Sequence, residues 1–368
     1  MLQRNRTGQR LSGRKGDFDI MKIEIATAVP YQVTVENGII DRVGELAAEL
    51  ERPGAKAMLV SESNVFPLYG QRVKDSLESA GFRVSEFLFP AGESSKQIAT
   101  VCDIYRALSE NGFTRSDFIV TLGGGVTGDM GGFAAATFLR GISFLQIPTS
   151  LLAQVDASVG GKTGVDLPFG KNLVGAFHQP RAVVTDPQTL NTLPEHYFHD
   201  GMGEVIKYGC ISDLALLEQL EKGIKPVDLE EIIIRCVSSK KKLVEEDTRD
   251  KGRRMILNFG HTFGHALEKL HHFQGLAHGE AVGIGMVLAA GVGEKLGITR
   301  AGTAERIRKV LVQYGLPVED CFTKEEIIEA TALDKKSDGE TLQLILLKEI
   351  GESIIYPIHR SQLLRVME

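Results

Sequence analysis

The hydrophobic pattern of this chain changes period once, and the change divides it. In the first half, short apolar runs alternate with amphipathic stretches. From Lys22 to Ala28 and from Tyr31 to Val35, apolar and polar positions alternate with Pro30 between them. This predicts an opening β-hairpin, with Glu36-Asn37-Gly38 as the turn that follows. Asp41–Leu50 has helical spacing. Ala55–Ser61 is a continuous apolar run of the kind expected of a parallel strand buried on both faces, and it ends in Glu62-Ser63-Asn64. A helix over Tyr69–Ala80, a strand over Phe82–Phe89 and a loop from Pro90 to Lys96 follow. The strand Asp117–Leu122 then runs into a glycine turn and a small-residue helix over Met130–Phe138. Strands over Ile142–Ile147 and Ala182–Asp186 complete this half. From Thr192 onward the period is helical, and only Leu342–Leu347 and Ser353–Tyr356 look extended.

The expected organisation is therefore a Rossmann-like α/β nucleotide-binding domain over residues 21–186 and a mostly α-helical domain over 187–368. Residues 1–20 are polar and basic and read as a disordered tail or an upstream start. A length of 368 residues exceeds the size at which one core keeps growing, which also favours two domains. A net charge of −6 leaves no basic stripe for nucleic acid. No apolar run approaches the roughly 20 residues of a membrane span. Ala281–Val292 is glycine-rich and reads as a core helix. Cys102, Cys210, Cys236 and Cys321 form no C-x-x-C pair, which points to reduced thiols in a cytoplasmic protein, with buried small apolar side chains as their default role.

Three groups of residues carry candidate chemistry. Gly123, Gly125 and Gly128 satisfy G-x-G-x-x-G between a strand and a helix, where backbone N–H groups and the positive helix end can hold a pyrophosphate. The usual acidic residue about 20 positions later is missing, and the nearest useful acids, Glu62 and Glu93, lie upstream. Glu204, His261, His265 and His278 each adjoin a glycine in the helical half. Two imidazoles and one carboxylate from this set would make a catalytic metal site with open positions for substrate oxygens. The intervening residues exclude H-E-x-x-H and with it a metalloprotease. The loop Asp156–Asn172, hinged by glycines, gathers Asp156, Lys162, Lys171 and Asn172, and Arg140, Lys207, Lys240 and Arg254 join them as cations suited to a phosphate or carboxylate.

Five stretches together resemble the 3-dehydroquinate synthase family: Gly-Gly-Gly-Val-Thr-Gly-Asp at 123–129, Pro-Thr-Ser-Leu-Leu-Ala-Gln-Val-Asp-Ala-Ser-Val-Gly-Gly-Lys-Thr-Gly at 148–164, Gly-Glu-Val-Ile-Lys at 203–207, Asn-Phe-Gly-His-Thr-Phe-Gly-His-Ala at 258–266 and His-Gly-Glu at 278–280. The resemblance covers about residues 21–360. It implies NAD, a divalent metal (Zn²⁺ or Co²⁺) and a phosphorylated seven-carbon sugar acid. Glu204, His261 and His278 would be the metal ligands, with His265 facing the substrate. Glu62, Asn64, Glu93, Lys96, Gly124, Gly125, Val126, Asp129, Thr149, Ser150, Leu152, Lys171 and Thr192 would surround NAD. Asp156, Lys162, Asn172, Lys207, Lys240, Arg254, Asn258 and one of Lys335 or Lys336 would hold substrate, with Arg140 reaching in from a second subunit of a homodimer. The implied reaction converts 3-deoxy-arabino-heptulosonate 7-phosphate to 3-dehydroquinate and phosphate, with NAD regenerated at each turn.

Departures from the family pattern are local: Asp166-Leu167 stands where Asn-His is frequent, and Ala157 where Ser is frequent. Two other readings compete. A glycerol-type dehydrogenase would use the same cofactors but form NADH stoichiometrically. A sugar-phosphate-binding module without turnover would have lost metal ligands that this chain retains.

Overall fold

The computed structural model describes residues 21–250, 252–331 and 341–367. The opening hairpin pairs β1 (Met21–Ile25) with β2 (Tyr31–Val35) antiparallel. Then come α1 (Val43–Leu50), β3 (Lys56–Glu62), α2 (Gln71–Ser79), β4 (Arg83–Phe89), α3 (Ile98–Glu110), β5 (Phe118–Gly123), α4 (Gly125–Thr137) and β6 (Ser143–Pro148). A second hairpin, β7 (Lys162–Leu167) with β8 (Gly170–Phe177), precedes β9 (Ala182–Thr185).

One seven-stranded sheet runs in the order β1-β2-β9-β6-β5-β3-β4, parallel throughout except for the β1–β2 pair. Every residue of β5 and β9 is buried. That is the physical reason for their unbroken apolar runs: helices cover both faces. Ala57, Leu59, Val120 and Leu122 pack with the α1–α2 side, while Met58, Val60 and Ile119 pack with the α3–α4 side, the period of two expected of a strand. From β3 the chain moves outward to β4 and then returns to β5 on the other side of β3. The carboxyl ends of β3 and β5 therefore flank a topological switch point, the place where open α/β sheets bind ligands.

The second half holds α5 (Glu195–Ser212), α6 (Leu214–Glu221), α7 (Leu229–Glu246), α8 (His261–Leu270), α9 (His278–Lys295), α10 (Thr303–Gln313) and α11 (Lys324–Thr331). Strands β10 (Thr341–Glu349) and β11 (Glu352–His359) and the helix α12 (Arg360–Met367) close it. Ala281–Val292 lies within α9 and is largely buried, as its composition suggested. Among the described residues no helix is long and apolar enough to cross a membrane. Ile23, Ile25, Val33 and Val35 of the opening hairpin share a core with α5, α7, α8 and α9, so the hairpin links the sheet to the helical half.

The structure departs from the sequence reading in three places. The stretch 156–172 is not a loop: its first residues close a helical turn (Ala153–Ala157), and Lys162–Leu167 forms one arm of the β7–β8 hairpin. The Leu-Pro-Phe-Gly turn and the surrounding glycines hid these strands. Helix α4 begins at Gly125, not Met130, because Gly128, Gly131 and Gly132 form its packing face. A Cβ at these positions would lie 2.1 Å from Gln146 Nε2, 2.3 Å from Thr121 Cγ2 and 2.6 Å from Thr163 Cγ2. All four cysteines are free, but only Cys210 and Cys236 are buried; Cys102 and Cys321 are exposed.

Candidate active site

The centre of the site is built where three helices approach at glycines. A Cβ on Gly203 of α5 would lie 2.4 Å from the Gly279 carbonyl of α9. Gly260, at φ 80, turns the chain into α8, and a Cβ there would meet the Val282 carbonyl at 2.6 Å. Only glycine permits backbones this close. The neighbours of these glycines are thereby brought together: Glu204, and the first residues of α8 and α9, His261 and His278.

Ligand atoms of Glu204, His261 and His278 all lie within 4.8 Å of one another. Glu204 Oε1 is 3.5 Å from His261 Nε2 and 3.6 Å from His278 Nε2. Tetrahedral ligation with bonds of roughly 2.0–2.1 Å sets its ligand atoms about 3.4 Å apart, so these separations suit a divalent cation. Glu204 Oε1 is buried and accepts no hydrogen bond, while Oε2 is taken by the Lys207 ammonium. A buried carboxylate oxygen without a partner is costly unless a cation meets it. The His261 Nδ1 lies 3.1 Å from the Phe259 carbonyl. A carbonyl only accepts, so Nδ1 carries the proton and the Nε2 lone pair faces Glu204. Burial and the Lys207 charge push His261 well below its ordinary pKa, which keeps that lone pair free. Burial also disfavours a charged His278, but the carboxylates of Glu204 and Glu268 outweigh it and raise the group to about 10. Positive charge is thus favoured at the position a metal would take. His265, one turn beyond His261, is exposed, its ring 6.2 Å from that of His278.

Next to this trio sits an ionic array. Lys207 and Glu204 are both fully buried, and the Lys207 ammonium lies 5.2 Å from the Tyr208 ring. Asp156 accepts from the Tyr208 hydroxyl, and Lys240 reaches both its carboxylate, at 3.1 Å, and its carbonyl, at 2.7 Å. Burial works against the Asp156 charge, but Lys240 and Lys207 hold its carboxyl far below the usual range. Burial lowers Lys240 to about 8 despite Asp156. Arg254 is 1% exposed, and its guanidinium donates to the carbonyls of Gly160 and Thr248. Its Nε is buried without a partner. Gly160, at φ 98, makes room for that guanidinium. Asn258 ends the same turn and is half-buried.

The β7–β8 hairpin touches both sides of the cleft. Lys162 pairs with Asp250 beside Arg254, and Lys171 reaches Glu268 of α8 at 3.4 Å. Asn172, at φ 52, takes a left-handed conformation that asparagine tolerates. Its amide oxygen accepts from Lys96 at 2.7 Å, and its N–H donates to Asp166 at 2.7 Å. Asp166, the departure noted in the sequence, thus fixes this turn. Lys96 also pairs with Asp129 at 2.7 Å and lies 4.0 Å from Glu93.

At the switch point, the Glu62 carboxylate accepts from the N–H groups of Asn64 and Val65. The Thr149 N–H donates to the Gly123 carbonyl, and a Cβ on Gly124 would lie 3.3 Å from Ser150 Oγ. The absent side chain leaves the start of α4, where Val126 follows, open to a bulky anion. Leu152 stands two residues past Ser150 on the way to Asp156, and Thr192 meets the Tyr69 hydroxyl at 2.6 Å. Arg140 is not part of this assembly. It is exposed past the carboxyl end of α4, whose 13 residues span about 20 Å from the glycine turn. Lys335 and Lys336 lie outside the described residues.

Sequence reading missed Tyr208, Asp250 and Glu268. Glu268 stands seven residues after His261 on α8, the same helix face, and that spacing was the available signal.

Residues 86–200 match the family described as 3-dehydroquinate synthase N-terminal, and residues 201–337 the one described as 3-dehydroquinate synthase C-terminal. The 3-dehydroquinate synthase of Clostridium acetobutylicum is 48% identical over 337 residues, 90% of this chain and 94% of that protein. Among solved structures, 2-deoxy-scyllo-inosose synthase, crystallised with carbaglucose-6-phosphate, NAD⁺ and Co²⁺, superposes with a TM-score of 0.84 at 26% identity over 94% of this chain and 99% of that one. The 2-epi-5-epi-valiolone synthase of Streptomyces hygroscopicus, with NAD⁺ and Zn²⁺ bound, gives 0.83 at 25% over 98% of each. With both halves matched in order and 48% identity to a relative over 90% of this chain, the chain belongs to the 3-dehydroquinate synthase family.

Proposed function

We propose that the residues of this cleft perform the reaction of the family to which the enzyme belongs, conversion of 3-deoxy-arabino-heptulosonate 7-phosphate to 3-dehydroquinate and phosphate. One observation carries the reading: the buried Glu204 Oε1, which accepts no hydrogen bond, forms a compact triangle with the Nε2 atoms of His261 and His278, 3.5 Å from one and 3.6 Å from the other. These three side chains would hold a divalent cation, Zn²⁺ or Co²⁺, and the N₂O donor set suits either. NAD would be held at the switch point by Glu62, Asn64, Glu93, Lys96, Gly124, Gly125, Val126, Asp129, Thr149, Ser150, Leu152, Lys171 and Thr192. When bound, NAD would supply reversible hydride transfer and the cation would supply Lewis acidity toward the substrate.

The chain's own work is binding and orientation. Lys162, Lys207, Lys240, Arg254, Asn172, Asn258 and one of Lys335 or Lys336 hold the phosphate and carboxylate, and Asp156 keeps Lys240 in place. Arg254 suits this role because backbone carbonyls fix its guanidinium while its Nε still lacks an acceptor. Cations fixed around the leaving phosphate stabilise the charge that develops as the C–O bond breaks. His265 faces the substrate from α8. The final ring closure is intramolecular, so what the cleft supplies there is a restrained conformation.

The enzyme acts as a cytoplasmic homodimer in which Arg140 completes the site of the second copy, and the two domains divide between residues 186 and 187. The test is phosphate release from the sugar phosphate with metal present and NAD far below substrate, with NADH absorbance followed alongside. Many turnovers per NAD without NADH build-up support the cyclase reading. NADH rising in step with substrate loss would replace it with a dehydrogenase.

A further inference from the structure

Glu268 has no part in the roles given above, yet it joins the two sides of the cleft. It is 5% exposed, on the face of α8 that carries His261 and His265. Its Oε1 lies 3.5 Å from His278 Nδ1 and 3.4 Å from the Lys171 ammonium. His278 thus has a carboxylate oxygen near each ring nitrogen, Glu204 Oε1 3.6 Å from Nε2 and Glu268 Oε1 3.5 Å from Nδ1. A carboxylate behind a ligating imidazole fixes its tautomer and ring orientation and raises its basicity.

Lys171 extends this contact to the other half of the molecule. It stands on β8 next to Asn172, whose amide oxygen accepts from Lys96, and Lys96 pairs with Asp129 of α4 at the nucleotide side. Its ammonium also lies 5.1 Å from the Phe273 ring, which follows α8. Lys171, Glu268 and His278 thus form one chain of contacts from the hairpin to the metal-ligating trio.

We propose that Glu268 is a positioning residue with two effects: it orients His278 for the metal, and through Lys171 it couples metal binding to nucleotide binding. This rests on the reading of Glu204, His261 and His278 as metal ligands. Because binding linkage is reciprocal, metal tightens NAD by the same factor as NAD tightens metal, and Glu268 carries that factor.

The experiment is chelator competition on the Zn²⁺-loaded enzyme, with and without saturating NAD, for the wild type and for His278→Ala, Glu268→Gln, Glu268→Asp and Lys171→Met. Circular dichroism checks that each variant is folded. Glu268→Gln is expected to weaken metal binding about 10- to 100-fold, and Glu268→Asp to restore part of the loss. NAD retains its effect on metal release in the wild type and loses it in Glu268→Gln and Lys171→Met. A folded Glu268→Gln with wild-type metal affinity overturns the positioning role. A Lys171→Met enzyme whose metal affinity still responds to NAD as the wild type does overturns the coupling, and it does so even if Glu268→Gln fails to fold, because Lys171 is partly exposed on the hairpin. If His278→Ala keeps its metal, the ligand reading itself fails; if it loses metal while Glu268→Gln does not, only the Glu268 proposal fails.

Discussion

The buried ionic array of the helical half and the β7–β8 hairpin opposite it carry the same residue types and differ in how those residues are held. Lys207 and Lys240 are almost wholly buried, each against a carboxylate, and that of Asp156 also accepts from the Tyr208 hydroxyl. Lys162 is half-exposed and Lys171 partly so, each facing one acid of the helical half. Buried pairs are fixed before substrate arrives, because either charge alone would be intolerable there. An exposed pair contributes little and exchanges partners at small cost. The helical half is thus a preformed floor, and the hairpin is the part able to change partners when an anion enters.

The largest effects should come from breaking the floor. Glu204→Ala removes a metal ligand and strands the Lys207 charge. It should abolish metal content and turnover and destabilise the fold by about 3–5 kcal/mol, the usual cost of orphaning one member of a buried pair. Adding Lys207→Met should recover most of the stability, read by urea denaturation, and none of the metal. If Glu204→Ala alone unfolds no more easily than the wild type, the pair does not anchor the floor.

Lys240 gives a smaller, pH-dependent effect. Its value of about 8 lies below the usual lysine range, so its ammonium is lost as pH rises through 8. The protonated form is the one that attracts an anion, so KM for the sugar phosphate should rise above pH 8 while kcat changes less. Lys240→Arg stays charged across this range and should flatten the rise, at a cost in KM at neutral pH from the changed geometry. A KM profile that is flat in the wild type and rises in neither form would remove Lys240 from the substrate contacts.

The same contrast explains what could be read from the sequence. The sheet was legible because buried parallel strands write continuous apolar runs. Glycines adjoin Glu204, His261, His265 and His278 alike, so the residues pointed to a cluster of four, and only the family resemblance singled out three of them. Those glycines have a packing reason, visible in Gly203 against Gly279 and Gly260 against Val282. What could not be read were pairings across the chain. Asp156 meets Lys240 84 residues away, and Lys162 meets Asp250 88 residues away. No local pattern records such partners, so nothing in the sequence singled out Asp250 or Tyr208. The hairpin was missed for another reason: glycine-rich strands with Asp166 and Asn172 at their turn carry little period-two signal.

The smallest structural effect, and the sharpest test of the contrast, is expected at Lys162. Its pair with Asp250 is half-open to solvent, so Lys162→Ala should change stability by no more than about 0.5 kcal/mol. Its functional cost should be much larger than that, because substrate must recruit this ammonium from Asp250 on entry. We expect KM for the sugar phosphate to rise at least tenfold, with NAD affinity, read by fluorescence titration, within twofold of the wild type. Asp250→Asn should act in the opposite sense on the same contact, since it releases Lys162 without removing it, and should leave KM unchanged or slightly lower. If Lys162→Ala instead weakens NAD as much as substrate, the hairpin contacts the nucleotide at Lys162, and the division of labour between Lys162 and Lys171 has to be redrawn.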